Sequence, residues 1–311
     1  MRNVINQTTI IGRVYDHDLS LKVSGPNSKN PNTEFINGML NVATDENCTN
    51  VISVHFSYVT ATTKNGAPNA TFTALKGIID GKFKTVMSDG KDSAVTIRID
   101  SALALNEFYS DRNGTEELVS VKRNEGGFVH LNEVLPENEN QRNTFKCDMV
   151  ITNVIHVEAD EEKNQPEKAI VKGVIFDFKK SILPVEFTAL NPGAINYYLG
   201  LNVSPSAPVF TQLWGQQVSQ TVVTKIVEES AFGEDYVREV TNTRKEFVIT
   251  GGKAEPWEWD VEGSITAAEL KEAIAKREMY LADVKKRQDE YKASKSAAPA
   301  MAVNSQDTFN F

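Results

Sequence analysis

Cysteine is scarce in this chain, and long apolar runs are missing. Its two cysteines, Cys48 and Cys147, stand far apart, which argues against a disulfide framework and favours a reducing compartment. No apolar stretch approaches the roughly 18 residues of a membrane span, and the N-terminus lacks the pattern of a secretory signal. The sequence therefore predicts a cytoplasmic protein that is not associated with a membrane.

Motifs for catalysis and metal binding are missing as well. The four histidines are scattered, and none has a Cys, Asp or His partner at metal-ligand spacing. The chain contains no GxSxG, no Walker lysine loop and no GxGxxG. A protein that is not an enzyme and has no cofactor or metal is favoured. An enzyme of nucleic-acid metabolism stays an alternative, because carboxylates from distant strands can assemble a metal site.

A broad excess of positive charge is also absent. The net charge is -9, which disfavours nonspecific binding to duplex DNA, because that binding needs an extended basic surface. A local basic groove on an otherwise acidic body remains compatible with this charge.

The first 157 residues alternate between strand patterns and turn-rich loops. From Glu34 to Thr44 the even positions form an apolar row, which leaves Phe35 on the opposite face. From Val51 to Val59 the even positions, including Tyr58, form the apolar row and His55 lies opposite. A helix is predicted over 70–80, and the sequence NEGG at 124–127 predicts a hairpin turn.

This order of elements predicts an oligonucleotide/oligosaccharide-binding (OB) barrel, with five strands and a helix between the third and fourth. The acidic segment 158–168 is the best candidate for a domain boundary. The predicted fold class is mainly β. The expected units are an OB-fold barrel at 1–157, an acidic linker at 158–168, a second small OB-like β-barrel at 169–256, a helix at 264–293 and a disordered tail at 294–311.

A groove for single strands needs aromatic faces for base stacking and cations for the phosphate backbone. Phe35 either stacks on bases or is buried beneath the loop at 24–33. Trp214 is either a second stacking residue or part of a barrel rim. Each cation on a strand is an ordinary surface charge unless several converge on one face. The candidate DNA-binding residues are Arg13, Phe35, His55, Arg98, Lys122, Arg123, Trp214, Arg244 and Lys245.

The last five residues combine an acid, two phenylalanines and the terminal carboxylate, after a stretch rich in Ser, Ala and Pro. A tether of that composition has little reason to fold, and its tip suits a pocket of another protein. Asp307, Phe309 and Phe311 are therefore the candidate partner-binding residues. The alternative interpretation is a frayed terminus that ends in Phe by chance.

Three stretches, 9–14, 35–43 and 50–58, resemble the first three strands of bacterial-type single-stranded-DNA-binding proteins, and the Phe terminus resembles their partner tip. The likeness is to a divergent, phage-type member of that family. It implies single-stranded DNA binding and protection in DNA replication, recombination and repair. It also implies that Phe35 stacks on bases, that Arg13 contacts phosphates, and that the tip recruits replication or recombination proteins.

The chain departs from that family in having two predicted barrels, one acid at the tip and a long helix before the tail. The family's tetramer is therefore not implied, although a homo-oligomer is compatible with the sequence. The alternative to a DNA-binding protein is a phage structural or assembly protein, with β domains and a helical oligomerisation arm.

Overall fold

The computed structural model describes residues 2–111, 114–160, 165–228, 232 and 236–296, with the side chains of 220–228, 238–244 and 294–296 outside the description. Among these residues no helix is long and apolar enough to cross a membrane. The strands are β1 (Asn6–His17), β2 (Ser20–Val23), β3 (Glu34–Ala43), β4 (Val51–Thr60), β5 (Thr96–Ser110), β6 (Glu117–Leu131), β7 (Asn143–Val157), β8 (Lys168–Phe176), β9 (Ile182–Ala189), β10 (Val209–Glu228) and β11 (Tyr236–Gly252). The helices are α1 (Ala70–Ile79), α2 (Val86–Asp89), α3 (Pro192–Gly200) and α4 (Ala267–Ser296).

Five strands close the first barrel, in the neighbour order β1-β3-β4-β6-β5 and back to β1. β4 and β6 run parallel, whereas the other neighbours run antiparallel. α1 lies between the third and fourth barrel strands in the chain. This is the topology of an OB fold, and it confirms the predicted fold class. Inward side chains such as Ile10, Leu40 and Phe56 are fully buried.

The second barrel repeats this topology, in the neighbour order β7-β8-β9-β11-β10 and back to β7. Its parallel pair is β9 with β11, and α3 lies between its third and fourth strands. The boundary expected after residue 157 therefore differs from the structure, because β7 is the first strand of this barrel. The acidic segment joins β7 to β8, which pair with each other. Its composition identified a loop correctly but carried no information on which strands the loop connects.

The two barrels are joined edge to edge by antiparallel pairing of β1 with β7, from Asn6 and Cys147 to Ile10 and Asn143. A buried polar network lies beside this seam. The amides of Asn124 and Gln217 donate to each other, at 2.9 and 3.1 Å, and Asn143 Nδ2 donates to the Gln217 carbonyl at 2.9 Å. Because the partners come from both barrels, the network fixes their relative position.

Each barrel extends its last two strands into a long hairpin. The prediction of a turn at 124–127 is wrong, because β6 continues through this segment and the β5–β6 hairpin turns between residues 110 and 117. The two glycines instead accommodate a bulge opposite Asp100 and Ala102. Gly127 has φ 121°. A Cβ atom at this position would lie only 2.3 Å from the carbonyl oxygen of Asp100, so a larger residue does not fit here.

Two contacts attach the C-terminal segment to the barrels, one at Trp257 before α4 and one at Arg277 within α4. Trp257 packs on Phe210 with ring centroids 4.7 Å apart, and this contact docks the segment that precedes α4 onto the second barrel. Further along, Arg277 forms a two-pronged ion pair with Glu107 of β5, with N–O distances of 2.5 and 3.2 Å. α4 therefore lies along the β5–β6 hairpin.

Candidate nucleic-acid interface

The outer face of β3 and β4 carries an aromatic pair, here called the aromatic platform: Phe35, which is half-buried, and Tyr58, which is exposed. Ile36 and Leu40 point into the barrel and are fully buried, so Phe35 lies on the opposite, outer face. Its ring contacts that of Tyr58, with centroids 4.5 Å apart and planes at 35°. Tyr58 is 44% exposed. The platform therefore offers π surface to solvent.

A β-bulge places Tyr58 on this face. The pairing of β3 with β4 shifts between Ile36, which faces Val59, and Gly38, which faces Phe56. The extra residue reverses the alternation beyond the bulge, so Val59 packs against the core and Tyr58 turns outward. The predicted apolar row that included Tyr58 is wrong at this position. The signal that sequence reasoning could have used is Gly38, with φ 134°, in the neighbouring strand β3, because a glycine inside a strand often marks an irregularity.

The loop at 24–33 does not bury Phe35. It extends from the hairpin of β2 with β3, in which Lys22 stands directly beside Phe35. Lys22 Nζ donates to Asn37 Oδ1 at 3.0 Å, and Asn37 is the next residue along the outer face. A cation thus lies one strand away from the platform, held by a neutral amide rather than by a carboxylate.

A polar cluster continues the outer face from β4 to β6. His55 Nδ1 lies 3.2 Å from Glu125 Oε2, and Arg123 Nε lies 2.6 Å from the same oxygen. The Ser57 hydroxyl donates to the other oxygen of Glu125. Two of the predicted residues, His55 and Arg123, are therefore brought together beside the platform. Glu125 was not predicted, and it offsets part of their positive charge.

Arg13 and Arg98 lie elsewhere on the first barrel, on the outer side of β1 and β5. Arg13 Nη1 is 3.2 Å from a carboxylate oxygen of Glu46. Arg98 Nε is 3.1 Å from Asp100. Both arginines lie on different strands from the platform and are paired with acids, so the structure does not gather all the predicted cations into one trough.

Lys122 faces the second barrel. Its Nζ donates to the carbonyl of Glu186 in β9 at 2.6 Å and lies over the rings of Phe187 and Phe247. Burial lowers the pKa of the Lys122 ammonium, although Glu186 and Glu246 oppose that shift. The contact joins the β5–β6 hairpin to the second barrel.

The remaining predicted residues divide between the second barrel and the undescribed parts. Trp214 lies on the outer face of β10 and is 40% exposed. Lys245 is exposed on β11, opposite Ser219. Arg244 lies next to it on β11, but its side chain is outside the description. Asp307, Phe309 and Phe311 all lie outside the described residues.

Two OB folds in one chain, one with an exposed aromatic face, define a two-barrel β protein with the architecture of an oligonucleotide- or oligosaccharide-binding module. The chain belongs to the YorF family, whose model matches residues 5–287. A similar solved structure is a deletion mutant of the single-stranded DNA binding protein from Thermus aquaticus. It is 10% identical, and the match covers 84% of this chain and 98% of that chain with a TM-score of 0.44. A TM-score that low carries no conclusion about this chain. A comparison with curated proteins found no match.

Proposed function

We propose that this protein binds single-stranded DNA, with little dependence on sequence, on the outer face of β3 and β4. The observation that carries the proposal is the contact of half-buried Phe35 with exposed Tyr58 on that face. In OB folds the face of the second and third strands is where oligonucleotides bind, and β3 and β4 hold those positions in the first barrel.

The chemistry of the platform suits unpaired bases. Base-to-aromatic stacking contributes about 1–3 kcal/mol per base and tolerates any base, because every base has a π face. In a duplex these faces are already stacked on each other. Lys22 adds a cation within one strand of the platform, and the net charge of -9 disfavours a broad duplex-binding surface.

The proposal extends to protection of unwound DNA during replication, recombination or repair. It also extends to partner recruitment through Asp307, Phe309 and Phe311 at the C-terminal tip. Support for the tip comes from composition, since an acid followed by two phenylalanines offers both charge and apolar anchors. Removal of residues 307–311 will leave DNA affinity unchanged or raise it, and will abolish recruitment.

The alternative function is assembly into a larger structure without DNA binding. Exposed apolar side chains near the end of the β10–β11 hairpin favour it, because Tyr236 is 63% exposed and Val237 is 52% exposed. A protein of this kind will self-associate and will not bind an oligonucleotide.

Titration of a labelled dT oligonucleotide by fluorescence anisotropy, at two salt concentrations, tests the proposal. Wild-type protein will bind dT, more weakly at higher salt, and will bind duplex of equal length far more weakly. Phe35→Ala and Tyr58→Ala will each weaken dT binding by about 1–3 kcal/mol. Phe178→Ala is the matched control, since Phe178 is 91% exposed on the second barrel. Equal affinity for duplex and dT, or full affinity in both platform variants, would reject the proposal.

A further inference from the structure

The pairing of β1 with β7 creates a surface that neither barrel has alone. The strands β6, β5, β1, β7 and β10 are neighbours in one continuous sheet. One side of this sheet faces the barrel interiors. The other side, here called the joint face, carries Phe128, Thr9, Gln7, Lys146 and Trp214. We infer that the joint face is a second binding site for single-stranded nucleic acid, an inference that rests on the proposed function.

The strand register places the side chains of the joint face in rows across both barrels. In one row Phe128 pairs with Asp100, Asp100 with Thr9, Thr9 with Thr144, and Thr144 with Gln216. Directly opposite residues on neighbouring strands point to the same face. The row therefore runs from the first barrel into the second without interruption of the hydrogen-bonded sheet.

A second row, two residues along, contains the aromatic residue and the cation of the second barrel. Trp214 pairs with Lys146, and Lys146 pairs with Gln7. Gly251 of β11 stands opposite Trp214. The indole packs directly on this glycine, since a Cβ atom added to Gly251 would lie 2.4 Å from Trp214 Nε1. This support orients the ring while 40% of Trp214 stays exposed. Lys146 is exposed and has no carboxylate partner among the described residues.

The spacing of these groups suits an extended strand. Phe128 is 72% exposed, and four inter-strand steps of about 4.8 Å place it roughly 19 Å from β10, the strand of Trp214. Gln and Thr side chains between them can donate to and accept from bases and sugars. Asp100, an acid on this face, is held by Arg98 at 3.1 Å and by the Thr9 hydroxyl at 3.1 Å.

The same composition argues against a protein partner. Protein interfaces have contiguous apolar cores, whereas the two aromatic residues here are separated by polar rows. Continuity with the aromatic platform favours a nucleic acid. Phe128 follows Glu125 along the outer side of β6, and Glu125 contacts His55 and Ser57 beside the platform. A strand that leaves the platform over β6 reaches Phe128 first and Trp214 last.

Oligonucleotide length separates the two sites. OB folds occlude about 4–16 nucleotides each, so a short dT will occupy the platform and a long dT will occupy the platform and the joint face together. Once one part of the oligonucleotide is bound at the platform, the rest of the same strand is held close to the joint face. Its effective concentration there is high, which favours the second contact. Wild-type affinity will therefore rise steeply once the oligonucleotide spans both sites.

The test measures dissociation constants for a dT length series with Trp214→Ala, Phe128→Ala and Lys146→Ala. For long dT, each aromatic variant will lose roughly 5- to 150-fold in affinity, and Lys146→Ala will lower the slope of log K against log salt by about 0.7. Short dT will be unaffected. Phe128 and Lys146 are exposed, so these variants remain informative if Trp214→Ala unfolds. Phe178→Ala is the control.

The outcomes separate the two claims. If long dT binds all three variants as tightly as wild type, while Phe35→Ala weakens binding, the joint face is not a site and the proposed function stands. If wild-type protein binds no dT of any length, both fail. Loss of long-dT affinity that is confined to the joint-face variants and leaves short dT unchanged supports the inference.

Discussion

The two barrels share one topology and differ in how they use the same face. In the first barrel the outer face of the second and third strands carries half-buried Phe35 in contact with exposed Tyr58. In the second barrel the equivalent face, on β8 and β9, presents Ile170, Lys172 and Val174 instead of aromatic residues. Topology therefore does not decide where a ligand binds, because the side chains on the face decide it.

The face of the second barrel is also occupied by other parts of the chain. Lys122 of the β5–β6 hairpin donates to the Glu186 carbonyl, and Arg277 of α4 donates to the Ile182 carbonyl at 3.4 Å. Both acceptors belong to β9. The second barrel thus uses this face for intramolecular contacts with the hairpin and helix. In the first barrel the same face keeps Tyr58 exposed.

The largest expected effect comes from breaking the ion pair of Arg277 in α4 with Glu107 in the β5–β6 hairpin. Arg277→Ala leaves the Glu107 carboxylate, which is 2% exposed, without its cation. Breaking one partner of a buried ion pair costs about 3–5 kcal/mol. We expect a loss of that order in the free energy of unfolding, measured by urea denaturation.

The neighbouring Lys276→Ala is the control for this change. Lys276 pairs with Glu272 on the surface, with both side chains more than half exposed, and such pairs contribute about 0–1 kcal/mol. If Arg277→Ala and Lys276→Ala lower the free energy of unfolding by the same amount, the ion pair of Arg277 with Glu107 does not stabilise the fold.

A smaller effect is expected at the seam between the barrels. Gln217→Ala removes both hydrogen bonds between the two amides, so the buried Asn124 Oδ1 loses its donor while Nδ2 keeps its bond to the Ser53 carbonyl. An unsatisfied buried polar group costs about 1–3 kcal/mol. Gln216→Ala removes a single bond, to the Asn140 carbonyl, from a half-buried position. Thermal unfolding will show a lower Tm for Gln217→Ala than for Gln216→Ala. The reverse order would mean that the network does not hold the barrels together.

The smallest expected effect is a pH dependence of the free energy of unfolding that arises from Glu46 in the first barrel. The hydrogen bond from Arg142 lowers the pKa of Glu46 below its ordinary 4.5, with Arg13 adding to the shift. Since the folded pKa is depressed, this stabilisation is present above about pH 4.5 and is lost as the pH falls through the lowered pKa.

Glu46→Gln will therefore flatten the acid limb of a stability profile by a few tenths of a kcal/mol, because the carboxylate is about half exposed. Glu116→Gln is the matched comparison, because Lys292 and Lys285 lower the pKa of Glu116 near the end of the β5–β6 hairpin, so this variant will change the acid limb in the same direction. A profile with a steeper acid limb in Glu46→Gln would contradict the assignment.

Local patterns predicted the elements well where the strand alternation was regular. The alternation around Phe35 placed it on the outer face, and the position of α1 indicated an OB barrel. The same reasoning failed at two glycine positions. Gly38 lies in β3 next to the point where an extra residue of β4 turns Tyr58 outward, and Gly127 accommodates a bulge where a hairpin turn was expected. A glycine in a strand signals an irregularity, but its type depends on the partner strand.

The sequence by itself determined a mainly β protein, two successive OB-like β regions with a helix in the first, and an aromatic residue on an outer face, because period and propensity are local properties. Tertiary structure decided the rest. It paired β7 with β8 and β10, brought Tyr58 to Phe35, paired Arg13 and Arg98 with acids, and aligned Trp214 with Lys146 and Gln7 across the seam. Those outcomes depend on strand register between residues distant in the chain, which no local pattern encodes.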